Sequence, residues 1–140
     1  MRIAAYVRER PPADDAEPAF AQGERIRRWV ADHGHLLVAV CHDQPDPGAA
    51  ADMVPRSGFE ALLALVDRRL VDAVVAASLA ALGDDLGTQE IRVWELRRRN
   101  IDLRFVDTAD DTEVAAPEEA DRRSARALLD QLEAHRRIDE

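Results

Sequence analysis

Lysine is absent: all 19 side chains counted as Lys plus Arg are arginine. Arginine codons are GC-rich, so the plain reading is a GC-rich, bacterial coding sequence. Selection of arginine for phosphate contacts is the weaker alternative, because the formal net charge is −9. Proteins that grip DNA carry a basic patch, since released counterions drive that binding. The acidic total disfavours DNA binding by this chain alone and leaves a local patch open. Cysteine is almost as scarce. Cys41, the one cysteine, excludes an internal disulfide and suits a reducing compartment. No apolar run approaches the ~20 residues of a membrane helix. The start of the chain leads directly into Arg2–Val7, without the apolar stretch and cleavage site of a secretory signal. A cytoplasmic location is therefore expected. The first loop, Glu9 to Pro18, has no glycine, so its backbone cannot cradle phosphate as a P-loop or dinucleotide turn does.

What is present suits one globular domain. The chain has 140 residues, with 46% hydrophobic and 34% charged, enough to bury a core. Ile3-Ala4-Ala5-Tyr6-Val7 reads as a buried strand. Pro11, Pro12 and Pro18 mark the following loop. Ile26, Trp29, Val30 and His33 then form a helical stripe that stops at Gly34. Leu36–Cys41 is a second strand, followed by a long loop, His42–Ser57. Phe59, Leu62, Leu63, Val66 and Leu70 make the cleanest helical stripe. Asp72–Ala77 is a third strand, apolar like a central parallel one. Residues 84–99 read as helix with a ragged stripe of Val93, Trp94 and Leu96, and Asp102–Val106 as an alternating edge strand.

Repeated strand–helix units predict an α/β fold: an open, mostly parallel sheet of four to five strands flanked by helices, in flavodoxin-like layers, with an amphipathic C-terminal helix. The expected boundaries are a domain over 1–110, an acidic linker over 111–117 and a helix over 118–140. Asp107, Asp110, Asp111, Glu113, Glu118 and Glu119 read as solvated loop and helix N-terminus. Metal binding by them lacks the Asp-x-Asp-x-Asp-Gly frame. No metal and no cofactor is expected.

Ligands of open parallel sheets sit beyond the carboxyl ends of the strands. There the residues form a series: Tyr6-Val7-Arg8-Glu9-Arg10, then Gln22 in a helix closing at Gly34, Asp43, Pro47-Gly48 and Arg56-Ser57-Gly58-Phe59 before Leu62-Leu63. Asp72-Ala73-Val74-Val75 and Ala80-Ala81-Leu82-Gly83-Asp84 complete it. In order and spacing this series resembles the resolvase/invertase serine recombinase catalytic domain, over about residues 1–110. The family pattern there has Tyr-x-Arg-Val-Ser, an Arg-Pro-Gly-Phe turn and Asp-Arg-Leu-Ser-Arg.

The resemblance implies a serine that attacks a DNA phosphodiester while arginines neutralise the phosphate. It matches Arg8 and Arg56 to two phosphate-binding arginines. Arg10 stands at the nucleophile, Ala80 at the aspartate, and Ala81 and Asp84 at two further arginines. Guanidinium stays protonated and is no nucleophile, so DNA cleavage is not expected and the catalytic set is empty.

Several readings stay open. Arg8, Arg10 and Arg56 converge into an anion pocket, or Arg10 pairs internally with Glu9, Asp14, Asp43 or Asp84. Ser57 and Ser78 have no evident base and read as polar loop positions. Cys41 and His42 point to opposite faces of a strand, so they form no dyad. His33 and His35 flank Gly34 and match no zinc spacing. In the terminal helix Ala125, Leu128, Leu129 and Leu132 either pack on the sheet or pair with a second copy. The resemblance implies a DNA-binding module after that helix, and with the sequence ending at Glu140 none is expected. The leading expectation is an inactive resolvase-like domain acting through protein contacts as a homodimer. The alternatives are a phosphometabolite-binding protein or enzyme, and a DNA-binding accessory subunit of an intact recombinase.

Overall fold

The computed structural model describes residues 1–10, 16–44 and 57–139. Asp14, Pro47, Gly48 and Arg56 lie outside the described residues. The elements run β1 (Arg2–Arg8), α1 (Ala19–Asp32), β2 (Leu36–Asp43), α2 (Gly58–Asp67), β3 (Ala73–Ala76), α3 (Leu79–Leu82), α4 (Leu86–Arg97), β4 (Asp102–Phe105), α5 (Thr108–Ala115) and α6 (Ala120–Asp139). The described strands form one sheet of order β2-β1-β3-β4. Every pairing in it is parallel. The α/β fold expected from the alternating elements is the one observed.

Burial explains why these runs became strands. β1 is covered on both faces from Ile3 to Arg8, so it reads as an unbroken apolar run. Ile3, Ala5 and Val7 join Ile26 and Val30 of α1 in one core layer. Ala4 and Tyr6 join Phe59 and Leu62 of α2, with Val93 and Leu96 of α4, in the other. β2 and β4 are the edges. α1 ends where Gly34 turns at φ +71°, a conformation that costs glycine little.

Two stretches differ from the sequence reading. Residues 111–117, expected as an acidic linker, lie largely within α5. Its acids are structural acceptors: Asp110 Oδ2 receives Leu79 N–H at 2.8 Å, and Asp111 Oδ1 receives Phe105 N–H at 2.8 Å. They tie the helix to the ends of β3 and β4. The helix expected over 84–99 begins at Leu86, and a single turn, α3, precedes it.

α6 rests chiefly on α4, not on the sheet. The contact is ionic rather than leucine-rich. Arg122 Nη1 donates to Glu90 Oε1 at 2.9 Å and its Nη2 to Gln89 Oε1 at 2.9 Å, while Arg126 Nε donates to Glu90 Oε2 at 3.1 Å. Glu90 is 1% exposed. Its burial is why the stripe of α4 looks ragged: a carboxylate occupies a core-facing position. Leu128 and Leu132 remain 64% and 55% exposed, so packing of that stripe on the sheet is corrected by the structure.

Candidate functional site at the carboxyl ends of β1 and β3

The chain leaves β1 for β2 on one side and later returns to β3 on the other. That reversal opens a crevice at the carboxyl ends of β1 and β3, where α/β folds place ligands. Arg8 ends β1 there. Its backbone is held as if by another strand: its N–H donates to Gln22 Oε1 at 3.1 Å, and its carbonyl accepts from Gln22 Nε2 at 2.9 Å. Gln22 is itself buried. One carboxamide thus matches both polar groups of a single residue.

The Arg8 side chain crosses to the segment after β3. Its Nε donates to the Ala81 carbonyl at 3.3 Å, and its Nη2 to the Ala80 carbonyl at 2.9 Å and Asp84 Oδ1 at 2.8 Å. Arg8 is only 7% exposed. Arg10 Nε lies 3.8 Å from the same Asp84 oxygen. That Nε is buried and lacks a hydrogen-bond acceptor among the described residues. The hydrogen bond from Arg8 holds the Asp84 carboxyl below its ordinary range, against the opposing pull of desolvation. Asp84 therefore stays ionised between two guanidinium groups. Arg8, Arg10, Ala80, Ala81 and Asp84, which the resemblance grouped, lie together here, and among the described residues Asp84 is the acid that pairs with Arg10.

Asp43 has a different role. Its Oδ1 accepts Gly58 N–H at 2.5 Å, and its Oδ2 accepts Phe59 N–H at 3.1 Å and the Tyr6 hydroxyl at 2.7 Å. It thereby caps α2 from β2, where a carboxylate suits the exposed N–H groups. A Cβ at Gly58 would sit 2.5 Å from the His42 carbonyl oxygen, so this close approach requires glycine. Glu9 accepts Ala19 N–H at 3.2 Å at the start of α1. Ser57 Oγ accepts Glu60 N–H at 3.1 Å and Ser78 Oγ accepts Ala81 N–H at 3.3 Å. Both serines are helix caps. Cys41 is buried and His42 exposed, as strand alternation requires. His33 stacks on Trp29 at 4.1 Å. No cluster able to hold a metal ion occurs among the described residues.

The chain matches the family model described as "Resolvase, N terminal domain" over residues 3–139. It belongs to the resolvase family. No curated protein matches it. Among solved structures, this resolvase-family chain is similar to the N-terminal catalytic domain of TP901-1 integrase. The TM-score is 0.63 at 16% identity, covering 100% of this chain and 99% of that one. It is also similar to the C-terminal catalytic domain of ISC1926 TnpA, an IS607-like serine recombinase. There the TM-score is 0.58 at 20% identity, covering 94% of this chain and 78% of that one. At such identities the likeness is one of fold.

One residue of this crevice escaped the sequence reading. Arg92 of α4 donates from Nη1 to the Tyr6 hydroxyl at 2.9 Å and to the Leu82 carbonyl at 2.6 Å. Its guanidinium lies 4.9 Å from the Phe59 ring centroid. Nothing local in Ile91-Arg92-Val93 marks it, because its partners are 10 and 86 residues away. The assembled site holds three guanidinium groups, a buried phenol and two carboxylates already engaged by protein donors. It can hold charge in place.

Proposed function

We propose that this resolvase-family domain breaks no DNA strand and works as a protein-interaction module, dimeric through α6, in a regulatory role linked to recombination. The observation that carries the reading is the closure of Arg8 on Ala80, Ala81 and Asp84. These bonds engage three of the five guanidinium N–H groups and leave only the two on Nη1 for a phosphate. The family resemblance puts the attacking hydroxyl at Arg10, whose group cannot lose its proton under ordinary conditions. Asp84 adds repulsion where a phosphate would need a cation. Ser57 and Ser78 each accept a backbone N–H at a helix N-terminus, and neither has an evident base beside it. The exposed Leu128 and Leu132 on α6 support contact with a second copy.

The experiment is incubation of the purified protein with supercoiled plasmid, followed by denaturing electrophoresis. No protein-linked DNA and no relaxed plasmid are expected, and a covalent adduct overturns the proposal.

A second reading has one observation in its favour. Arg10 Nε is buried without an acceptor among the described residues, which suits an anion held at Arg10. A thermal-shift series with inorganic phosphate and phosphorylated metabolites tests it, since specific binding raises stability by mass action. A flat series removes it.

A further inference from the structure

We propose that α6 is a detachable strap: the helix leaves α4 as one unit well before the domain unfolds, and uncovers the Val93 and Trp94 face of α4. The device lies away from the β1–β3 crevice and does not rest on the function proposed above.

The contact is built from charge that water solvates about as well. The side chains of Glu90, Arg122 and Arg126 are 1%, 7% and 12% exposed, and Arg126 also donates to the Val114 carbonyl of α5. A buried ion pair gains in attraction roughly what it loses in desolvation, so it holds two elements together less firmly than apolar side chains of the same volume. Removing one member strands the others, which is costly. Lifting the whole helix is different, because every member returns to water together. The start of α6 stays pinned meanwhile, since Glu113 Oε1 accepts the Glu118 and Glu119 N–H groups at 3.1 and 3.2 Å. That makes the segment from Ala116 to Glu119 the hinge.

The polar groups of the contact are also incompletely matched. Among the described residues four buried side-chain nitrogen or oxygen atoms lack a hydrogen-bond partner, and three of them, Trp94 Nε1, Arg122 Nε and Glu133 Oε2, lie here. Arg122 Nε stands 3.7 Å from Glu113 Oε1, and Glu133 Oε2 stands 3.5 Å from Arg98 Nε. Both are ion pairs without a hydrogen bond. Buried polar atoms left in this way are costly, and exposure to water on opening would relieve all three. Apolar closure is incomplete as well. A cleft of about 140 Å³ stays open beside Val93, Trp94 and Leu129, and a gap of that kind forfeits dispersion contacts. Leu128 and Leu132 add nothing to the contact, being 64% and 55% exposed.

Native-state hydrogen exchange of the full chain is the test. The chain carries Leu128→Glu and Leu132→Glu, so the outcome does not depend on whether two copies pair through α6. Amides from Arg126 to His135 should exchange together, at least about a hundredfold faster than those of Val74 and Val75 in β3, as a sub-global opening does. Exchange at the β3 rate overturns the proposal, and so does a gradient of rates that frays inward from Asp139. Adding Glu90→Leu, Arg122→Met and Arg126→Leu in the same background replaces the ionic hold with an apolar one. The α6 amides should then slow at least about tenfold relative to those of β3, as an apolar hold in place of buried charge predicts. If they stay as fast as before, buried charge is not what loosens the helix and the proposal falls.

Discussion

Arg8 and Asp84 meet at 2.8 Å across the gap between the end of β1 and the segment after β3. The pairing is unequal. The Arg8 side chain is 9% exposed and that of Asp84 54%, so the cation is the buried partner and the carboxylate reaches in from solvent. Removing Asp84 leaves a guanidinium that still donates to two carbonyls. Asp84→Asn should therefore cost about 1 kcal/mol of folding stability in urea denaturation, nearer the surface-pair limit than the buried one. The pH dependence follows from the depressed carboxyl of Asp84. A carboxylate favoured by the fold stabilises above its unfolded value, ordinarily 3.8, and loses that contribution as pH falls through its folded value. The difference between wild type and Asp84→Asn should be full at neutral pH and shrink only in acid. A gap that widens in acid would contradict this pairing.

Glu90 has the opposite setting. Both its oxygens are engaged by Arg122 and Arg126, and it is buried almost completely. Glu90→Ala should cost about 3–5 kcal/mol, because it strands two guanidinium groups in a poorly solvated place. The triple change Glu90→Leu, Arg122→Met, Arg126→Leu removes the buried charges together, leaving only the more exposed Glu113 and Glu119 without Arg122, and should lose far less, or even gain stability. Denaturant midpoints of the two variants decide the matter. If the triple variant is no better than Glu90→Ala, the loss comes from shape and not from stranded charge.

The contrast between these two carboxylates marks where the sequence was legible. β1, β3 and α2 were plain, because Ile3–Val7 and Ala73–Ala76 are continuous apolar runs and Phe59, Leu62 and Val66 keep helical spacing. Resolvase-like order was legible for the same reason, since framework residues recur at fixed intervals. α4 was blurred because Gln89 and Glu90 occupy buried positions that only α6, some 32 residues later, makes tolerable. α5 was missed because its Asp110 and Asp111 look solvated in a list of residues and are in fact acceptors for backbone groups of other elements. Within the site, Arg8, Arg10 and Asp84 were readable through the resemblance to the family's motif positions. Arg92 was not, as long-range hydrogen bonding leaves no local pattern.

Ala125, Leu128 and Leu132 follow one another at intervals of three and four, a seam suited to a second helix. Leu128 and Leu132 are exposed on the described chain. The proposed dimer, pairing through so few side chains, would be weak, each fully buried leucine contributing about 1.5–3 kcal/mol. The melting temperature should therefore rise with protein concentration. Leu128→Glu with Leu132→Glu should abolish that rise and leave the dilute-limit stability within about 0.5 kcal/mol, as expected of surface changes. Sedimentation should show a monomer for the double variant. A concentration dependence that survives both changes would place the dimer contact elsewhere.

Tyr6 offers the cleanest readout, being the one tyrosine in the chain. Its ring is fully buried against Phe59, edge to face at 5.7 Å. Burial raises its phenol strongly above the ordinary value of 10.0, and the hydrogen bond to Asp43 adds to the rise. The sign follows from the direction of that shift. A fold that favours the neutral phenol keeps its full contribution below pH 10 and loses it as pH rises toward the folded value. Tyrosinate absorbance should thus stay absent in the native protein just above pH 10 and appear together with unfolding. Tyr6→Phe removes the hydroxyl that joins Asp43 to Arg92 and should cost about 1–2 kcal/mol at neutral pH. The same variant should resist alkali better relative to its own neutral-pH stability, because its unfolded state gains nothing by ionising. A wild-type tyrosine that titrates near 10 without unfolding would mean the phenol is open to water, contrary to its burial on β1 beneath α2.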